Sequence, residues 1–336
     1  RALDPDDRAA IEEALSYPEE SAGRLMQREL ISVPEHWTVG DVLDYLRKNE
    51  DLTTDFWEIF VVDPAHKPVG TCQLSWVLRT PRVVSMGDVM KREQTLIPVD
   101  MDQEEVALRF QKYALISAAV VDPSGRLVGM ITVDDIVHII SEEAGEDALL
   151  LSGAGEGDIN EPVIDSYKGR VRWLLTNLLT ALVAATIISL FEGTIQKMVA
   201  LAALMPIVAG VGGNAGTQTM AVTVRALATN QLTQSNTLRA IQREISIALL
   251  NGVTVAIVIG TAVGLFYHHA ALGGVIAAAM MTNIFIAGLA GVVVPVTLDR
   301  LKADPAVASS IFVTMTTDSM GFLAFLGLAS ASGLVG

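Results

Sequence analysis

The C-terminal half of the chain is a succession of long apolar stretches separated by short charged segments. Uncharged residues run from Trp173 to Phe191, from Met198 to Val224 and from Ile245 to Leu298. A further stretch, from about Ala306 to Gly336, carries Asp318 as its only charge. Because about 20 apolar residues cross a bilayer as a helix, these stretches predict membrane-spanning helices.

The third stretch is long enough for two spans. Tyr267-His268-His269 and Gly273-Gly274 predict the turn between them, which places two spans near residues 245–267 and 275–298. The count is then five spans, so the two ends of the membrane region lie on opposite sides of the bilayer.

Basic residues in the short loops predict the orientation, because Lys and Arg collect on the cytoplasmic side. They precede the first span and occupy the loops between spans two and three and between spans four and five, whereas the other loops offer only Lys197. We therefore expect the N-terminal half in the cytoplasm and the C-terminus outside. The basic set is Lys168, Arg170, Arg172, Arg225, Arg239, Arg243, Arg300 and Lys302.

Short apolar runs and turn signals replace the long stretches in the N-terminal half, and they form an internal repeat. Residues 61–70 (VVDPAHKPVG) match residues 120–129 (VVDPSGRLVG) at an offset of 59 residues. Each copy predicts a strand, an Asp-Pro turn, a second strand and an amphipathic helix. The repeat resembles a tandem pair of cystathionine-β-synthase (CBS) domains, a regulatory module that binds adenine nucleotides or cations in many proteins.

Composition separates the two halves further. Residues 1–170 carry 16 basic and 33 acidic side chains, a net charge of −17, and residues 171–336 carry 7 and 5, a net charge of +2. The acidic half would repel nucleic acid and attract cations, so no nucleic-acid partner is expected. The single cysteine, Cys72, permits no disulfide within the chain, as is typical of a reduced cytoplasmic compartment.

Asp318 is the candidate ion-binding residue. An ionisable group inside a span costs at least about 2.5 to 3.5 kcal/mol, and it marks either a functional pathway or a buried ion pair. No Lys or Arg lies within the apolar stretches to pair with it, which favours the pathway. Thr314 and Thr317 share or adjoin its helical face. A membrane enzyme would need a nucleophile or an acid–base pair, and Asp318 is the only titratable group expected deep in a span. We therefore do not expect an enzyme.

The second span contains the glycine-rich run Gly210-Val211-Gly212-Gly213-Asn214-Ala215-Gly216-Thr217-Gln218. Helix packing alone could explain its glycines, or they could loosen the helix and free carbonyl oxygens. At about 1.5 Å per residue, Asn214 lies about 16 Å from Arg225 and Asp318 about 18 Å from Ala306, so both lie at nearly the same depth. An all-oxygen lining favours Mg²⁺ or Ca²⁺, and a symmetric dimer could hold a hydrated Mg²⁺ with two copies of one carboxylate.

The whole chain resembles the MgtE family of bacterial magnesium channels. The resemblance rests on Tyr17 to Met26, on the CBS pair, and on the motifs Gly212-Gly213-Asn214 and Thr317-Asp318-Ser319-Met320-Gly321. It implies a multidomain membrane protein, with an α/β tandem CBS cytoplasmic domain followed by an all-α five-helix transmembrane domain. The expected domains are the end of an N-terminal helical domain (1–23, the rest missing), two CBS domains (24–85 and 86–147), a connecting plug segment (148–170) and the pore domain (171–336).

The resemblance also implies a function. We expect a homodimeric Mg²⁺ channel or transporter in the lipid of the bacterial inner membrane, with a pore between spans two and five of both subunits. Asp318 would be the central carboxylate, and Asn214, Gly213, Thr314 and Thr317 would complete the pore. ATP is a candidate second ligand of the CBS pair. Cytoplasmic Mg²⁺ would be sensed by Glu104, Asp135, Glu143, Glu146, Asp147 and Asp304, whereas Ala114 and His138 stand where the family has acids.

Two other functions stay open at this point. The chain could transport another divalent cation, such as Co²⁺ or Mn²⁺, because the oxygen lining alone does not select among them. It could also be a nucleotide-regulated membrane receptor that uses the CBS pair alone, although Asp318 would then have no purpose. Cation flux into liposomes separates both from a Mg²⁺ channel.

Overall fold

The computed structural model describes residues 11–49, 52–54, 56–152, 162–233 and 235–334, without the side chains of residues 147, 307 and 308. The chain divides into two compact units, residues 1–144 and 145–336. Residues 11–14 are helical. Residues 1–10 of the expected N-terminal helical domain, and residues 153–161 of the expected connecting segment, lie outside the described residues.

The first unit contains two copies of one α/β arrangement. Each copy has a three-stranded sheet whose first strand is parallel and whose third strand is antiparallel to the central one. The strands are β1 (Ser32–Pro34), β2 (Glu58–Val62) and β3 (Pro68–Gln73), then β4 (Leu96–Pro98), β5 (Ser117–Val121) and β6 (Leu127–Thr132). The helices are α1 (Ala22–Leu25), α2 (Val39–Lys48), α3 (Leu74–Arg79), α4 (Met86–Val89), α5 (Gln103–Tyr113) and α6 (Val133–Ser152). The last eight residues of α6, from Gly145 on, belong to the second unit.

The Asp-Pro turns explain why the sequence repeat is so regular. Asp63 Oδ1 accepts hydrogen bonds from the backbone N–H groups of Ala65 and Lys67, both at 2.8 Å. Asp122 Oδ1 accepts the equivalent pair of bonds in the second copy, again at 2.8 Å. A carboxylate that satisfies two turn donors fixes the hairpin locally, so the prediction of strand, turn and strand is confirmed.

The two copies are joined through their third strands. The segment before the first sheet pairs with β6, because Gln27 and Met130 exchange two backbone hydrogen bonds of 2.8 Å. Thr71 of β3 and Lys91 exchange the matching pair, at 3.0 and 2.8 Å. A shared apolar cluster lies between the sheets and includes Phe60, Val62, Ala119, Leu127 and Met130.

The second unit is all helical. Its helices are α7 (Val163–Ser189), α8 (Glu192–Lys197), α9 (Ala200–Ala228), α10 (Thr237–Phe266), α11 (Ala270–Arg300) and α12 (Pro305–Ala331). Within the part of the chain that the structure describes, five helices are long and apolar enough to cross a membrane, namely all of these except α8. The predicted number of spans is thus confirmed.

The structure corrects the predicted turn between the third and fourth spans. Only Tyr267 to His269 form it, and Gly273 and Gly274 lie inside α11. Gly273 is a packing residue, because a Cβ there would collide with the carbonyl oxygen of Gly260 on α10. His268 adopts a positive φ of 50° in the turn, and His269 Nδ1 accepts the N–H of Leu272 at 3.3 Å to cap α11.

The structure contradicts one of the two interpretations of the glycine-rich run in the second span, namely that the glycines loosen the helix. The run does not interrupt the backbone, because α9 continues through it and through Pro206. Gly212 and Gly216 are buried against other helices, whereas Gly210 and Gly213 face open space. Half of these glycines therefore serve close helix packing.

Asn283 occupies the centre of this packing. Its side chain on α11 is completely buried, and its Nδ2 donates to the carbonyl oxygen of Val208 on α9 at 2.9 Å. A Cβ at Gly212 of α9 would overlap this amide, and one at Gly321 of α12 would lie 2.6 Å from Nδ2. The absence of both Cβ atoms lets α9, α11 and α12 meet around one amide group.

We predict that Gly212→Ala lowers the stability of the helical unit by about 1 to 3 kcal/mol, because the added methyl overpacks the Asn283 amide. Gly210→Ala is the matched control on the same helix, since no atom lies within 4 Å of its Cβ position. It should be neutral or stabilise by up to about 1 kcal/mol through helix propensity. Thermal unfolding in detergent compares the two variants, and equal midpoints would contradict this role for Gly212.

Candidate ion-binding site and cytoplasmic cavity

Asp318 is the carboxylate of the helical unit that lies in the middle of a spanning helix. It is partly buried on α12, and no basic side chain of the described residues forms an ion pair with it. A buried carboxylate without such a partner must be stabilised by water or by a cation. The position is therefore suited to ion binding.

A cavity of about 310 Å³ lies beside Asp318, between α7 and α12. Thr314 and Ser310 continue its α12 wall, one and two turns before Asp318. Polar groups make up much of the lining, so the cavity can hold water. The complete lining consists of Leu151, Trp173, Asn177, Thr180, Ala181, Ser310, Thr314, Met315 and Asp318.

Of the other predicted pore residues, only Thr314 lines the same cavity as Asp318. Asn214 and Gly213 on α9 do not line the same cavity, and Asn214 is exposed in the single chain. Thr317 is fully buried, and its hydroxyl donates to the Thr314 carbonyl at 3.0 Å. A Cβ at Gly216 would lie 3.3 Å from Thr317 Cγ2, so Thr317 packs against α9.

Asn177 and Thr180 of α7 are lining residues that the sequence analysis missed. Both interrupt a leucine-rich span with polar groups that face Asp318's cavity. The signal that singled out Asp318, a polar side chain in an apolar stretch, is present for Asn177 as well. Asn177 lies in no glycine-rich run and carries no charge, and these were the two signals that marked Asn214 and Asp318.

Glu244 is another acidic side chain in a spanning helix, near the start of α10 rather than deep in the span. The helix α10 begins at Thr237, eight residues before the apolar stretch, and therefore includes Glu244. This side chain is buried, and Arg243 Nη1 lies 2.5 Å from its Oε1. Glu244 also lines a second cavity of about 170 Å³ with Gln218 and Asn251.

The predicted Mg²⁺-sensing acids are dispersed, and several have local partners. Asp135 accepts Gln27 Nε2 at 2.9 Å and the Thr132 hydroxyl at 2.8 Å, and Glu143 accepts Gln103 Nε2 at 2.6 Å. Asp304 caps α12 through the N–H of Ala306 at 2.7 Å. No three His, Cys, Asp or Glu side chains of the described ranges are close enough to hold a metal ion. Glu104 and Glu146 lie on α5 and α6, and the Asp147 side chain is outside the description.

A cavity of about 770 Å³ lies between the two copies of the first unit. It is lined by strands β3 and β5 and by side chains that include Lys91, Tyr113 and Cys72. Burial raises the pKa of the Cys72 thiol to about 11, and the Glu58 carboxylate contributes to the rise. The volume is in the range of small-molecule and cofactor sites.

Comparison with known proteins matches both units. The family model MgtE, described as a divalent cation transporter, matches residues 205–328, and the CBS domain model matches residues 22–72 and 86–142. The magnesium transporter MgtE of Enterococcus faecalis is 33% identical over 320 residues, which cover 95% of this chain and 71% of that protein. The magnesium transporter MgtE of Thermus thermophilus is 33% identical over 332 residues, covering 97% and 73%.

Among solved structures, the cytosolic domain of the Mg²⁺ channel MgtE in complex with ATP is similar to part of this chain. It is 35% identical, with a TM-score of 0.39, and the match covers 41% of this chain and 55% of that chain. The soluble part of a magnesium transporter is 29% identical, with a TM-score of 0.40, and the match covers 42% and 56%.

We predict that Cys72 reacts slowly with thiol reagents in the folded chain. At pH 8 a pKa of about 11 leaves roughly one thiolate in a thousand, against about a quarter for an exposed thiol. Labelling should be slower than in the denatured chain by about the ratio of these fractions, roughly 200-fold, and should accelerate as the pH rises. Glu58→Gln removes a negative charge, lowers the pKa of Cys72 and should speed labelling at pH 8. Equal rates in the folded and denatured chain would contradict the assignment.

Proposed function

The chain belongs to the MgtE family of magnesium transporters, and we propose that it conducts Mg²⁺ across the membrane with Asp318 as the central ion-binding carboxylate. The observation that carries this proposal is a carboxylate in the middle of a spanning helix, without a basic partner among the described residues, beside a polar cavity. Such a group stabilises a cation where the bilayer itself cannot.

The size of the cavity supports binding of a hydrated ion. Six first-shell waters occupy about 180 Å³ at the volume that water has in the liquid, which is less than the cavity volume of about 310 Å³. Mg²⁺ loses its waters reluctantly and is usually bound through them. The lining of Asp318, Thr314 and Ser310 provides oxygen atoms that can accept hydrogen bonds from those waters.

We place the pore at the two-fold axis of a homodimer, between α9 and α12 of both subunits. Asn214, Thr217 and Gln218 are exposed on α9 in the single chain, where an apolar helix would be expected to face lipid with apolar residues. A second copy that covers this face would bring Asn214 and Gly213 to the ion path and would double the Asp318 charge. Thr317 would then act through packing, since it is buried against α9.

Control of the pore by cytoplasmic Mg²⁺ is the second part of the proposal. The net charge of −17 in residues 1–170 makes the acidic segments repel one another when they approach. Mg²⁺ that bridges these carboxylates favours a compact, closed state over an open one, as a population shift requires. In this proposal the N-terminal half lies in the cytoplasm and the C-terminus lies outside the cell. The proposed sensors are Glu104, Asp135, Glu143, Glu146, Asp147 and Asp304.

Two alternatives differ from this proposal in what they predict. A carrier of Co²⁺ or Mn²⁺ would use the same oxygen lining, so flux of each ion must be measured beside Mg²⁺. A nucleotide receptor would bind ATP, a candidate ligand of the cavity that contains Cys72, and would show no flux. The lone carboxylate in the middle of α12 favours transport over the receptor.

We predict that Asp318→Asn abolishes Mg²⁺ flux into proteoliposomes, because the amide keeps the shape but removes both charges that face the ion. Asn214→Ala should reduce flux less severely, since water can replace a neutral oxygen more readily than a charge. Both variants should remain dimeric, which size-exclusion chromatography in detergent checks. Normal flux through Asp318→Asn would refute the assignment.

The sensing hypothesis predicts that a restored acid lowers the Mg²⁺ concentration needed to close the channel. Because His138 and Ala114 replace acids expected from the family, His138→Glu should lower the Mg²⁺ concentration that protects the cytoplasmic half from protease. His138→Gln is the matched neutral control, and it should leave the protection curve unchanged. If protection does not respond to Mg²⁺ in any of these proteins, the CBS pair has no Mg²⁺-sensing role.

A further inference from the structure

Within its apolar part, the first spanning helix, α7, carries a stripe of side chains that line the cavity of Asp318. Trp173, Asn177 and Thr180 follow one another at helical spacing, and Ala184 continues the same face as its buried member. The other faces expose a set of leucines that suit lipid contact: Leu174, Leu175, Leu178, Leu179 and Leu182. Lipid alone does not explain the polar stripe.

A matching stripe lies on α12. Ser310, Thr314 and Asp318 are each four residues apart, and all three line the same cavity as the α7 stripe. At about 1.5 Å per residue, the α12 stripe extends about 12 Å from Asp318 towards the start of its helix, and Trp173 to Thr180 extends about 10 Å. In a five-span topology α7 and α12 cross the membrane in the same direction. The cavity therefore extends from Asp318 towards the cytoplasmic end.

Asn177 requires a polar surrounding at its depth. Its backbone carbonyl accepts the Thr180 hydroxyl at 2.8 Å, but its side-chain amide has no hydrogen bond to another described residue. An unpaired amide in hydrocarbon costs several kcal/mol. Facing the cavity of Asp318, the amide meets water instead. Its oxygen can then accept a hydrogen bond from a water of a hydrated cation.

We propose that α7 lines the inner half of the ion path and that Asn177 supplies a neutral outer-shell site for the hydrated cation between Asp318 and the cytoplasm. This inference rests on the proposed function, because it assigns a second site on the same path. A neutral oxygen holds the ion less tightly than a carboxylate, so an ion released by Asp318 is not trapped again. Leu151 and Trp173 also line the cavity.

Thiol accessibility tests the proposal without relying on a loss of transport. The full chain with Cys72→Ala receives Asn177→Cys, or Leu178→Cys as the matched control one residue away on the lipid-facing side. A cationic, membrane-impermeant thiol reagent is added from the cytoplasmic side of vesicles. A thiol in lipid stays protonated and unreactive, whereas a thiol in a water-filled path reacts as a thiolate. Asn177→Cys should react at least ten-fold faster than Leu178→Cys, and Mg²⁺ should slow its reaction.

Thr180→Cys is a second probe on the same stripe and replaces Asn177→Cys if that variant does not fold. Thr180→Val should also lower Mg²⁺ flux, whereas Thr176→Val should not, although both threonines donate to a carbonyl of their own helix. Stripe cysteines that react no faster than Leu178→Cys, or that Mg²⁺ does not protect, would overturn the inference. If the parent chain conducts Mg²⁺ in that case, only the inference fails, whereas absence of flux in the parent overturns the proposed function itself.

Discussion

The buried amide of Asn283 is the interaction on which the arrangement of the membrane helices depends. A membrane offers no water to an amide, and this one is tied to α9 by its bond to Val208. Gly212 and Gly321 allow α9 and α12 to close around it. On α12, Gly321 and Thr317 lie one turn apart and both face inward. Asp318, next to Thr317, is thereby turned away from that contact and towards α7.

The same constraint explains how one motif can serve both packing and conduction. Gly212 and Asn214 are two residues apart on α9, so they face different directions. The glycine is buried against Asn283, and the amide side chain of Asn214 is exposed. Likewise, Thr317 packs while Asp318 lines the cavity. Residues adjacent in these motifs thus divide the two tasks, and the packing residues determine where the polar neighbours point.

Local patterns allowed much of the fold to be predicted from the sequence. The number of spans follows from the apolar stretches, and the two sheets follow from hairpins whose Asp63 and Asp122 satisfy their own turns. Contacts between distant helices left no such local pattern. The sequence predicted a turn at Gly273, whereas this glycine allows close approach to Gly260 on a different helix. The cavity shared by Asp318 and Asn177 likewise depends on two different helices, because 141 residues separate these side chains.

The double charge of the ion explains why a path with one carboxylate site and neutral oxygens beside it is suitable for conduction. At an effective dielectric constant of about 20, a divalent ion 5 Å from one carboxylate gains roughly 7 kcal/mol, and two symmetric carboxylates double this. Dehydration costs offset part of this attraction, but a second ring of acids would add to it and hold the ion too tightly to release. Neutral oxygens from Thr314, Ser310 and Asn177 avoid this, because they replace bulk water around the hydration shell without adding charge. A wall of hydroxyl and amide groups leading to a single carboxylate therefore suits passage of a strongly hydrated divalent ion better than a cluster of acids would.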